Sequence, residues 1–112
     1  MIMDIEVLYA NYRFCGSQPC SRDDPERGKK VKAYEGAKRK LFSALMDIHE
    51  SGQLYSQKAD EINQIILSVT EDPEKFWGSR KTARANQAVF LYEQNCLLFR
   101  ELLNCYLAMR SV

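Results

Sequence analysis

Apolar residues recur along this chain at intervals of three and four, the spacing that lines one face of an α-helix. Ile2, Ile5, Leu8 or Tyr9, and Tyr12 predict a short first helix over about residues 2–14. The next stretch, Cys15 to Asp24, collects Gly, Ser, Gln, Pro and Asp and predicts a loop. Asp24-Pro25 predicts a helix start, because Asp can accept unpaired amides as an N-cap and Pro is tolerated at the first helical position. That second helix carries Val31, Tyr34, Leu41, Leu45 and Ile48 on one stripe, with Ala33, Ala37 and Ala44 beside it, and runs to about Glu50. Ser51-Gly52 predicts its end, Gly being free to take the left-handed cap conformation. A third helix is expected to carry Leu54, Ile62, Ile65, Ile66 and Val69 and to stop before Asp72-Pro73. Phe76 and Trp77 then fall in a turn closed by Gly78, and Ser79 is placed to cap the last helix, over about 80–110. The spacing thus predicts an all-α single domain over 1–112, a small helical bundle of three long helices plus a short N-terminal one. Its parts are a short helix with a cysteine-containing loop (1–24), a helical hairpin (25–78) and a long C-terminal helix (79–112).

The last helix is too long for its domain. Some thirty residues at 1.5 Å each extend to about 46 Å. A compact domain of this size has a diameter of only about 34 Å. Val89, Tyr92, Cys96, Phe99, Leu103 and Tyr106 step by three and four as a coiled-coil seam does. Leu91, Leu98, Leu102, Cys105 and Met109 make a second stripe about 100° round, interrupted by Asn95, and Phe90 and Leu97 lie among polar neighbours. One adjacent helix cannot cover so wide a face. The alternatives are burial by the chain's other helices or a self-association interface, for which Phe90, Leu97, Leu98, Leu102, Met109 and the turn residue Trp77 are the candidate contacts. For Trp77 beside Phe76, the reading as the plug that closes the core between helices 3 and 4 is favoured over that of a partner anchor, given the large apolar area of Trp.

Composition agrees with a few long helices. Gly and Pro total eight residues in 112 and there are two threonines, too few turn and β-branched residues for a sandwich or small barrel. The formal net charge of +1 hides segregation. Residues 27–40 hold seven basic side chains and one acid, Glu35. Lys29, Lys32, Arg39 and Lys40 share the face opposite the apolar stripe, with Asp47 and Glu50 farther along it, against the preference of the helix dipole at both ends. Such a face is either solvated and unselected or suited to an anionic partner, and Arg80, Lys81 and Arg84 could extend it. No helix-turn-helix spacing, zinc finger or basic-zipper order accompanies it.

Candidate chemistry is sparse. His49 is the one histidine, near a helix C-terminus where the dipole favours it, without a nucleophile motif or a glycine-rich phosphate loop. Paired acids (Asp23-Asp24, Asp60-Glu61, Glu71-Asp72) lie at helix ends, where capping explains them. Cys15 and Cys20 are separated by four residues rather than the two of most zinc knuckles, and Cys96 and Cys105 point to opposite sides of one helix. A zinc held by Cys15, Cys20, His49 and one more ligand is conceivable but poorly spaced; no metal and no cofactor is expected. Tyr34-Glu35-Gly36-Ala37 and Leu91-Tyr92-Glu93 resemble the flagellin export chaperones over a few residues of two helices, but helix 2 opens on lysines where that family is apolar, so no family and no binding residue is assigned. The N-terminus carries acids where a secretory leader is basic, and no apolar run approaches the roughly 20 residues of a membrane span. The expectation is a cytoplasmic, non-enzymatic regulator or adaptor that binds a protein partner and forms a homodimer, without membrane attachment. The alternative is a helical nucleic-acid-binding regulator that uses the basic residues on phosphates; a metal- or redox-responsive switch at Cys15 and Cys20 is a third class.

Overall fold

A computed structural model describes residues 4–71 and 81–110, with side chains on the final helix described from Ala85 onward. The described chain is all-helical, with four helices and no strand: α1 (Ile5–Ser17), α2 (Arg27–Glu50), α3 (Gln57–Glu71) and α4 (Lys81–Arg110). It divides into two units, Met1–Ile48 and His49–Val112, so the division falls in the last turn of α2. None of the described helices is long and apolar enough to cross a membrane.

In the first unit, each helix begins on an aspartate. Asp4 caps α1, its carboxylate accepting from the Glu6 amide at 3.0 Å. Asp24 accepts from the Glu26 amide at 2.8 Å, and its carbonyl accepts from Arg27 at 3.1 Å, so Asp24-Pro25 opens α2 through one turn before the regular helix. Helix α1 continues to Ser17, past the expected end near residue 14, and takes Cys15 and Gly16 out of the loop. The glycine has a packing reason: a Cβ there would sit 3.3 Å from the ring of Tyr34. Leu8 on α1 and Ala37, Leu41 and Leu45 on α2 are the buried apolar residues, the last three at four-residue intervals. Val31, expected on that stripe, is exposed.

In the second unit, Gly52 takes a φ of 82° and ends α2 as expected, its amide donating to the His49 carbonyl. Leu54 is fully buried but lies in the turn before α3 rather than in the helix. Ser56 starts α3: its hydroxyl accepts from the Ala59 amide at 3.1 Å and donates to Glu101 Oε1 of α4 at 2.9 Å. Helix α3 packs on α4 and buries Ala59, Ile62 and Val69, while Ile65 stays exposed.

The core side of α4 lies between the two apolar stripes. Leu98, Phe99, Leu102 and Tyr106 are buried, two from each stripe. Truncating Leu102, at 0% exposure, is expected to cost about 3 kcal/mol by lost burial and a residual cavity. The same truncation at exposed Val89 is expected to stay within about 0.5 kcal/mol in protein dilute enough to be monomeric. Urea unfolding of the two alanine variants checks both values.

Candidate functional site

The α2 basic face is displayed as the spacing predicts. Lys29, Lys32, Arg39 and Lys40 are all exposed, and no acid occupies the first turn of α2. Lys30 behaves differently from its neighbours. Its ammonium pairs with Asp24 Oδ2 at 2.5 Å and donates to the Pro19 carbonyl at 2.7 Å. The Asp24 carboxyl is held below its ordinary range by the hydrogen bond from Lys30 and then by the Glu26 amide; Lys30 is raised in turn, chiefly by Asp24. One of the seven cations therefore serves the start of the helix. Lys81 and Arg84 fall on α4, but their side chains, like Arg80 and Trp77 altogether, lie outside the described residues.

The apolar candidates separate. Leu98 and Leu102 are 2% and 0% exposed, so they belong to the core and present nothing to a partner. Phe90 is half-buried, and Leu97 and Met109 are exposed. From Ala85 through Leu97 every residue is exposed or half-buried, including Val89, Leu91 and Tyr92. Burial on α4 begins only at Leu98.

The first unit also contains an open groove of about 520 Å³, walled by Tyr12, Gly16, Val31 and Tyr34, with Cys15, Cys20 and Lys30 in its lining. Tyr12 and Tyr34 stack there with centroids 5.5 Å apart and an interplanar angle of 28°, their hydroxyls 3.4 Å apart. Composition and spacing did not reveal this pair; Tyr12 and Tyr34 were legible only as members of separate helix stripes. Burial, then the hydrogen bond with Tyr34, raises the Tyr12 phenol to about 12.

His49 was expected only to complement the helix dipole, and it does more. It is buried, its Nδ1 donates to the Leu54 carbonyl at 2.8 Å, and its Nε2 meets Asp60 Oδ1 at 2.7 Å. Both ring nitrogens are occupied in holding the α2–α3 turn to the start of α3. Among the described residues no three His, Cys, Asp or Glu side chains cluster as metal ligands. Comparison with protein-family models, curated proteins and solved structures yields no match to this chain.

The raised Tyr12 value means that the fold favours the neutral phenol. Its contribution to stability is complete below the ordinary tyrosine value near 10 and is lost as pH rises from there through about 12. Tyr12→Phe is expected to remove one late-ionising phenol from a spectrophotometric titration. It is also expected to flatten the loss of stability across that alkaline window.

Proposed function

We propose that this chain is a small, non-enzymatic regulatory or adaptor protein that works by occupying the surface of a protein partner. In this proposal its helices form a bundle, and α4 also joins two copies into a homodimer. The observation that carries the proposal is the stretch Ala85–Leu97, in which no residue is buried although Val89, Leu91 and Leu97 are apolar. Thirteen residues make about 20 Å of helix. Two such helices laid side by side shield each other's apolar stripe, as in a coiled coil. The exposed Lys29, Lys32, Arg39 and Lys40 suit an acidic protein surface, where complementary charge acts mainly on the rate of encounter.

Sedimentation of the full chain across micromolar concentrations is expected to show a monomer of 13.0 kDa in equilibrium with a dimer. Val89→Ser with Leu97→Ser is expected to shift it to monomer and to remove the concentration dependence of the unfolding midpoint, leaving the midpoint of dilute protein unchanged, since both positions are exposed within one chain. A monomer at every concentration contradicts self-association. For the basic face, tight salt-sensitive binding to duplex nucleic acid, abolished by Lys32→Glu with Arg39→Glu, would favour phosphates over an acidic protein.

A further inference from the structure

Two of the four cysteines are arranged for chemistry that the proposed adaptor role does not use. Cys96 and Cys105 sit nine residues apart on the rigid α4, so they point to opposite sides and cannot join within one chain. Cys15 and Cys20 differ on each count. Cys15 lies in the last turn of α1, Cys20 lies in the non-helical segment that follows it, and both residues line the same groove. Both are free cysteines; Cys20 is exposed, and Cys15 is half-buried with a long contact, 3.8 Å, to the Asn11 side chain. The groove is open to small molecules.

A cation is fixed beside the pair. The Lys30 ammonium is anchored by Asp24 and by the carbonyl of Pro19, the residue next to Cys20. It is close enough that charge on Cys20 contributes, after Asp24, to raising Lys30. In thiol–disulfide exchange the negative charge spreads over three sulfurs in line, and a fixed ammonium faces that charge without reorganising.

We propose that Cys20 and Cys15 form a thiol–disulfide exchange site for small disulfides, with Cys20 the attacking sulfur and Cys15 the resolving one. In the first step the Cys20 thiolate attacks one sulfur of the small disulfide. A Cys20–small-thiol bond forms, the disulfide bond breaks, and one small thiolate leaves. In the second step the Cys15 thiolate attacks the Cys20 sulfur, the Cys15–Cys20 bond forms, and the second small thiolate leaves. The two protons lost by the cysteines pass to the two released thiolates. The protein is oxidised by two electrons, and the small disulfide is reduced to two thiols. A bridge needs Cα atoms within about 7 Å. The segment from Gln18 to Asp24 has no helical ladder to resist that approach. Closure draws on Pro19, whose carbonyl holds Lys30, so oxidation reaches the start of α2 and its basic face.

The test treats the reduced full chain with glutathione disulfide and follows intact mass and peptide maps. Expected are a transient adduct on Cys20, then a product two hydrogens lighter than the reduced chain, with its bridge between Cys15 and Cys20. Cys15→Ser is expected to stop at the adduct on Cys20. Lys30→Met is expected to slow the first step about tenfold. Equal labelling of Cys20 and Cys105 in the unsubstituted chain would overturn the proposal, as would a Cys20 adduct that never resolves there. Both readouts are independent of whether any variant folds.

Discussion

Within the second unit everything depends on a mismatch of helix lengths. Helix α4 has 30 residues, about 45 Å, and α3, the helix packed on it, has 15, about 22 Å. A helix that is apolar on more than one stripe needs covering over its whole length, and a partner of half that length cannot supply it. The buried set reflects this. Leu98, Phe99, Leu102 and Tyr106 are enclosed, while Val89 and Leu97 on the same helix are not. Helices in proteins owe most of their stability to tertiary packing, so the half of α4 without a buried residue is the part with most to gain from a second surface.

The polar contacts hold the ends of the elements. Ser56 caps α3 and ties it to Glu101; His49 clasps the Leu54 carbonyl and Asp60; Lys30 bridges Asp24 and the Pro19 carbonyl. Each satisfies backbone or side-chain groups that a helix start or a turn leaves open. Asp24 and Lys30 show how one charge pair serves two purposes. It starts α2 and fixes a cation between the cysteine loop and the basic face.

Local chemistry made the helix boundaries legible. Asp24-Pro25 and Gly52 act where their conformational preferences predict, and the last helix falls within a residue of its expected span. Long-range contact hid the rest. Gly16 sits inside α1 because Tyr34 packs against it, a reason lying eighteen positions away. Leu54 looked helical by spacing, yet its buried place depends on the path of the chain after Gly52. On α4 both apolar stripes were visible, but the core takes two residues from each, and only the neighbour's position decides which. The basic face was legible because lysines at helical spacing need no partner to be exposed. Lys30 was not separable from them, since its acceptors lie in the preceding loop.

The most direct test of the uncovered half of α4 is hydrogen exchange of the amides of residues 85–97, measured at several protein concentrations. Protection that rises with concentration there, with residues 98–106 already protected in dilute protein, is the predicted result. Protection independent of concentration along all of α4 would contradict the central claim that its first half is completed by a second chain.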